Sequence, residues 1–391
     1  MFWKKDELKS KYKNTKKILD KVSPSFCIAK WKQVSIHLHL AKTHSCHHPN
    51  LHTINLDEIE NNPSALHNTR HKKNSRREML AGIKTQECSY CWEQEEISNG
   101  TISDRLKKSE TSWAMPFLEE VLEAGWSKDI DPSYLEVSFS NQCQLACVYC
   151  SANFSSTIEN QQLRSGLLKD KITPDPVYYT TFWQWLRQMH KTLLHFRVTG
   201  GEPFLHSELS QLHDFFLEYD CSHLIFSINS NLSLPTDTVK KGISPFFELK
   251  KKNKLKKLSL FTSIDGDDEM ASKIRKGLNT ELFWKNIEFL LFDLGLPVVI
   301  MVSFGNQSIG HFAKLISKVI QLRERGGEIS ISINILRSPS EYSLSSATME
   351  KRLLWKSEYA KILLNSDRGK KLLGAELKAL ELVSHALSVV E

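Results

Sequence analysis

The sequence predicts an α/β fold in which parallel strands alternate with helices. Three observations lead to it. Strand-like runs and helical patterns alternate from about residue 130 to residue 336. The strand candidates number six, too few for a closed eight-stranded βα barrel. The residues with chemical character cluster just past strand ends, where βα folds gather their chemistry.

Taken in chain order, an amino-terminal region of residues 1–125 carries its own cysteines, Cys27, Cys46, Cys88 and Cys91. Its segment from Phe26 to Cys46 reads as a hairpin, because Val34, Ile36, Leu38 and Leu40 alternate with polar residues. That places Cys27 and Cys46 near the hairpin's two ends. The stretch from Leu56 to Gly82 is polar and helix-capable, and Cys88 and Cys91 follow as a CxxC pair.

Residues 126–340 hold the alternating region. Strands are expected at Tyr134–Ser140, Leu194–Thr199, Leu224–Asn229, Lys257–Ile264, Pro297–Ser303 and Ile329–Leu336. Helices are expected between them at Tyr178–His190, Ser207–Tyr219, Thr236–Lys250, Thr280–Asp293 and Ile309–Arg325. Such alternation implies parallel strands joined by right-handed crossovers. The carboxy-terminal residues 341–391 read as helical padding. Leu353, Leu354, Ala360, Leu363 and Leu364 fall at helical spacing, and a second segment runs from Leu372 to Val390. Cys221 reads as a buried thiol at a helix end.

Composition sets the bounds. The chain has 391 residues, 40% hydrophobic and 25% charged, as in ordinary soluble globular proteins. The net charge of +7 is dispersed, and thiolates would lower it, so nucleic-acid binding does not follow. The run Lys250 to Lys257 reads as a solvated turn before a strand. The charged amino terminus is unlike a secretory signal. The most apolar stretch, Phe289 to Phe304, is broken by Gly295 and Pro297 and reads as helix end, turn and strand rather than a membrane span. Eight cysteines in such a chain argue for a reducing cytoplasm and metal ligation rather than disulfides.

The chemistry centres on Cys143, Cys147 and Cys150, a CxxxCxxC set with Tyr149 before the last cysteine, placed just past the first strand. Four thiols close a zinc site; three leave one position of a metal or an iron–sulfur cluster open. A zinc knuckle missing a ligand, or three structural cysteines, are the plainer alternatives. One βα unit later, a strand runs into Gly200, Gly201, Glu202 and Pro203. Glycines let a backbone approach a ligand, and a carboxylate beside them can pair with an ammonium.

Together these motifs resemble the radical S-adenosylmethionine (SAM) superfamily. The resemblance implies a partial (β/α)6 barrel, a SAM-binding 4Fe-4S cluster on the three cysteines, and a GGEP element gripping the methionyl amino group. It implies polar contacts to SAM from Asn229 and Asn231, and a carboxylate and ribose site from Ser263, Asp265 and Arg275. By themselves Asp265 and Gly266 read as a turn, and Arg275 as a surface charge. The resemblance further implies an electron donor such as a flavodoxin or ferredoxin, and a 5′-deoxyadenosyl radical that abstracts a substrate hydrogen.

The amino-terminal cysteines can wrap one tetrahedral metal or one fully ligated cubane. Their layout resembles the twitch-type auxiliary-cluster module of the superfamily, with Cys27 and Trp31, then Cys46, then Cys91 with Trp92 and Glu95, then Ser103 and Arg105. It departs from that pattern where members often show adjacent cysteines and this chain has Ser45, Cys46, His47 and His48. Zinc is the rival metal. Histidine ligation from His37, His39, His44, His47, His48 or His52 is the less favoured reading beside surface histidines on a half-exposed strand and loop. Auxiliary-cluster relatives often modify a peptide or protein side chain. Oxidation or epimerisation of a small sugar, nucleoside or cyclitol is the second class, and a metal-binding scaffold without turnover the third. No winged-helix leader-binding pattern is visible, which weakens the first class; the intact GGEP set weighs against the third.

Overall fold

Eleven strands and sixteen α-helices account for the regular structure of residues 5–96 and 102–388, which the computed structural model describes. The strands are β1 (Gln33–His37), β2 (Lys42–His44), β3 (His52–Thr53), β4 (Tyr134–Ser138), β5 (Ala146–Cys147), β6 (His195–Thr199), β7 (Ile225–Asn229), β8 (Lys257–Ser263), β9 (Arg275–Lys276), β10 (Val298–Phe304) and β11 (Ile329–Ile335). The chain is mixed α/β, with mostly parallel strands, and it divides into two compact units.

The first unit comprises Met1–Ser140, Ile172–Val198 and Asp220–Ile225. Its strand order is β6-β4-β1-β2-β3. The hairpin forms as expected, with Ser35 opposite His44 and His37 opposite Lys42. The expected alternation stops early, however. Leu38–Leu40 leave the strand as a 3-10 turn, and Ala41 closes it at φ +53°. In addition, β1 pairs in parallel with β4 along its whole length, Gln33 opposite Tyr134 and His37 opposite Ser138. A strand flanked on both edges is an interior strand, and all five residues of β1 are buried.

This corrects the expectation of surface histidines. His37, His39 and His44 are buried, whereas His47 is exposed. The core of the unit gathers Phe26, Trp31, Met79, Trp92, Trp113 and the thiols of Cys88 and Cys91.

The second unit comprises Asn141–Lys171, Thr199–Tyr219 and Phe226–Glu391, with strand order β7-β8-β10-β11 and a separate β5-β9 ladder. Strand β10 is parallel to both β8 and β11, in register from Val298 opposite Ile329 to Phe304 opposite Ile335. Val298, Ile300, Val302 and Phe304 point to the buried face, following the period-two alternation of the sequence.

The helix expected at Ile309 begins instead at Phe312. The carboxylate of Glu358 accepts the N–H groups of Gly310 (2.6 Å), Phe312 (2.7 Å) and Ala313 (2.9 Å), so a distant side chain caps that end. Glu358 lies on the Met349–Asn365 helix, whose inward face is another correction. The leucine spacing points the wrong way: Leu353, Leu354 and Leu364 are exposed. Trp355 and Ile362 turn inward with Glu358, because Trp355 packs on Phe304 at a ring separation of 5.1 Å. Cys221 is buried, as expected.

Candidate metal and cofactor centres

In the second unit, the cysteine loop is held from three sides. Its middle cysteine lies in β5, which pairs antiparallel with β9, Ala146 opposite Lys276 and Cys147 opposite Arg275. Val148 N–H extends the ladder to the carbonyl of Ile274 at 2.9 Å. On a second side, the Ser156–Arg164 helix begins beside the loop. Ser156 Oγ accepts Cys143 N–H (3.1 Å), Thr157 Oγ1 donates to the Cys143 carbonyl (2.8 Å), and the capping residue Ser155 donates to the Leu145 carbonyl (2.6 Å). Sequence reasoning missed these residues. The run of Ser155, Ser156 and Thr157 before a helical pattern was the signal for an N-terminus placed here.

The third side is the turn after β6. Gly200 (φ +79°) and Gly201 (φ +55°) both take the left-handed region. A Cβ on Gly201 would lie 2.4 Å from the Gln142 carbonyl oxygen, and Glu202 N–H donates to that same oxygen at 2.7 Å. The glycine pair therefore seats the turn against the cysteine loop itself. Pro203 and Phe204 are buried. Phe204 packs where a side chain on Gly242 would stand, which makes Gly242 a further residue that sequence reasoning missed.

Glu202 is fully buried. Its carboxylate accepts Asn231 N–H at 2.7 Å and Phe204 N–H at 3.1 Å. Burial raises its pKa to about 7, against these bonds, which favour the charged form. With one backbone bond to each oxygen and a hydrogen bond from the Ser230 side chain, the carboxylate keeps acceptor capacity for an ammonium. Asn231 exchanges amide hydrogen bonds with Gln144 (2.9 and 3.2 Å) and places its Nδ2 3.8 Å from Cys143 Sγ. Asn229 ends β7, and Ser263 ends β8, each half-buried.

Arg275 is a buried cation rather than a surface charge. Its Nε donates to Asp265 Oδ2 at 2.8 Å and its Nη2 to Oδ1 at 3.3 Å. Asp265, fully buried, also accepts the Tyr149 hydroxyl (2.6 Å) and Ser303 N–H (2.7 Å). The Arg275 guanidinium lies 5.5 Å from the Tyr149 ring centroid. Burial, with Glu202 and the neighbouring thiols adding, raises the thiol pKa of Cys143 to about 12, and burial with Cys147 raises that of Cys150 to about 11. Cys147 is also raised by burial, with Arg275 opposing.

In the first unit, Cys27, Cys46, Cys88 and Cys91 all line one cavity. Cys88 closes a 3-10 turn and Cys91 lies in the Ser89–Glu96 helix that follows, so the CxxC spacing turns both thiols the same way. The Arg105 side chain, almost wholly buried, donates to both oxygens of Glu95 at 2.8 Å, and Ser103 Oγ donates to the same carboxylate at 2.6 Å. The separate Glu95, Ser103 and Arg105 elements of the sequence thus form one network. His48 is the histidine that reaches the cavity, but its Nε2 is engaged by Asp104 at 3.0 Å and its ring stacks on Tyr90. Burial and the Cys88 and Cys46 thiols push Cys27 up to about 11.

Among the described residues, no group of three or more Cys, His, Asp and Glu side chains is arranged to hold a single metal ion. No helix among them is long and apolar enough to cross a membrane. No family model matches the chain, and no curated protein matches it.

Proposed function

We propose that the chain is a radical SAM enzyme with a second, amino-terminal iron–sulfur cluster, and that its strands are those of the partial (β/α)6 barrel. The observation that carries the reading is convergence. The loop of Cys143, Cys147 and Cys150, the Gly200–Pro203 turn, Asn231, and the Asp265–Arg275 pair are remote in sequence, yet hydrogen bonds and one ladder join them in one unit. Three thiols beside a buried arginine and a buried carboxylate fit an open cluster and an amino-acid head group, a zwitterion with one charge for each.

In this reading Cys143, Cys147 and Cys150 hold the cluster. Arg275, aimed by Asp265, pairs with the methionyl carboxylate, while Glu202 accepts from the amino group. The cluster and SAM, when bound, supply the one-electron cleavage that gives a 5′-deoxyadenosyl radical able to abstract a substrate hydrogen. The chain's own work is to orient the head group and to exclude water. Burial of Glu202 and Asp265 serves both ends, because charges in a dry site interact more strongly than in water. Cys27, Cys46, Cys88 and Cys91 hold the second cluster, and a flavodoxin or ferredoxin is the class of electron donor required.

The test is anaerobic reconstitution followed by assay of 5′-deoxyadenosine with SAM and a strong reductant. The parent should form it. A variant with alanine at Cys143, Cys147 and Cys150 should form none, and undiminished product from that variant overturns the reading.

A further inference from the structure

The charged groups around the four-cysteine cavity are sorted by sign. Three cations, Lys30, Arg105 and Lys108, line it, with Asp104 as the one lining carboxylate. The carboxylates that pair with Lys30 and Arg105 are not part of the lining. Glu87 pairs with the Lys30 ammonium, and Glu95 and Asp20 engage Arg105 at 2.8 and 3.0 Å. Asp104 is itself bonded by His48 at 3.0 Å and Lys107 at 3.2 Å. The cavity therefore presents positive charge to whatever the thiols hold.

Lys30 stands out among the three. Arg105 is engaged by two carboxylates, and Lys108 is half-exposed and donates to the Gln33 amide at 3.2 Å. Lys30 is buried and follows Cys27 by three residues, its N–H bonded to the Cys27 carbonyl at 3.0 Å. Its charge acts on both Cys88 and Cys46. Glu87, its partner, is the residue just before Cys88 and is also engaged by His71 at 3.1 Å. A buried ammonium costs several kcal/mol in lost hydration, which Glu87 offsets in part and an anionic group held by the thiols would offset further.

We propose that Lys30 is the counter-charge of the amino-terminal site, raising the reduction potential of the group held by Cys27, Cys46, Cys88 and Cys91. The inference rests on the reading of that group as an iron–sulfur cluster. Adding an electron adds a negative charge at the sulfurs, and a fixed ammonium nearby in a dry site stabilises the reduced form. Glu87, which pairs with the ammonium and stands next to Cys88 in the chain, acts in the opposite sense.

The experiment uses the full chain with alanine at Cys143, Cys147 and Cys150, reconstituted with iron and sulfide, so that one cluster is read. Its midpoint potential is measured by titration with dithionite, followed by electron paramagnetic resonance, alongside iron content. Lys30→Met should lower the potential, Lys30→Arg should leave it near the parent value, and Glu87→Gln should raise it. Should Lys30→Met not assemble, the rise in Glu87→Gln carries the test. Equal potentials at equal iron content overturn the role of Lys30 alone, as does a shift of Glu87→Gln in the downward direction. A parent sample without any iron–sulfur signal overturns the cluster reading, and the role of Lys30 with it.

Discussion

Cys147 and Arg275 are register partners in a two-residue antiparallel ladder, although 128 positions separate them in the chain. The ladder fixes backbone to backbone, so the arginine cannot drift from the cysteine loop without breaking main-chain hydrogen bonds. Asp265 then sets the side chain. It grips the guanidinium with both oxygens, and it is itself held by Tyr149 and Ser303. Tyr149, two residues from Cys147, thus touches the loop, the carboxylate and the face of the cation at once.

Asp265→Asn keeps the shape of this assembly and removes its charge. Breaking a buried ion pair costs about 3–5 kcal/mol, because the remaining partner is left buried and uncompensated. Chemical denaturation should show a loss of that order, and calorimetry should show weaker SAM binding. Arg275→Lys should also bind SAM more weakly, since a point charge replaces a two-pronged donor. Unchanged stability and unchanged SAM affinity in Asp265→Asn would remove Asp265 from this role.

The buried carboxyl of Glu202 has its own pH signature. Its pKa is raised from 4.5 to about 7, mainly by burial, so the folded protein binds more protons than the unfolded chain between those values. Stability therefore falls as pH rises through that window. At 1.36 kcal/mol per pKa unit the loss is at most about 3 kcal/mol. Gln at this position does not titrate. Thermal melts of Glu202→Gln and parent should move apart in favour of the variant from pH 5 to pH 8, and parallel curves would refute the shift. Independently, Glu202→Gln should weaken SAM binding by about 1–3 kcal/mol while leaving the iron content intact.

Gly201 tests whether the Gly-Gly turn braces the cysteine loop. In Gly201→Ala the new methyl would stand 2.4 Å from the Gln142 carbonyl, in a left-handed conformation that alanine disfavours. The variant should lose more than about 1 kcal/mol of stability and the iron of the three-cysteine site. Gly295→Ala is the control, with φ +61° and open space around the added methyl. It should lose stability from backbone strain alone and keep its full iron content. Full iron in Gly201→Ala would show that the loop does not depend on this contact.

The six strands of the alternating region were legible because short β-branched and aromatic runs alternate with helical patterns. The observed bounds lie within two residues of those read from the sequence. What was not legible follows from pairings between distant segments. The parallel pairing of β1 with β4 buries His37 and Ser35, which local alternation assigns to a polar face. In the Met349–Asn365 helix, leucine spacing lost to Trp355 and to the buried Glu358, because a carboxylate that caps another helix is invisible to a hydrophobic pattern. Of the candidate site, the cysteines and the glycine turn were legible from spacing. The burial of Arg275 and its hold by Asp265 and Tyr149 were not, since a two-residue ladder leaves no periodic trace.

The amino-terminal cysteines offer the sharpest count. If all seven cysteines of the two sites hold cubanes, the reconstituted parent should contain about eight irons per chain. The variant with alanine at Cys143, Cys147 and Cys150 should keep about four. Zinc in the first unit would instead give about four irons and one zinc in the parent, since zinc favours a closed four-thiolate site. Iron is the expected outcome, on the ground of the twitch-like layout of these cysteines. Elemental analysis and visible absorption of the alanine variant decide the matter. Stoichiometric zinc with no residual iron–sulfur absorption would make the first unit a structural metal site and leave Cys143, Cys147 and Cys150 as the one candidate redox centre.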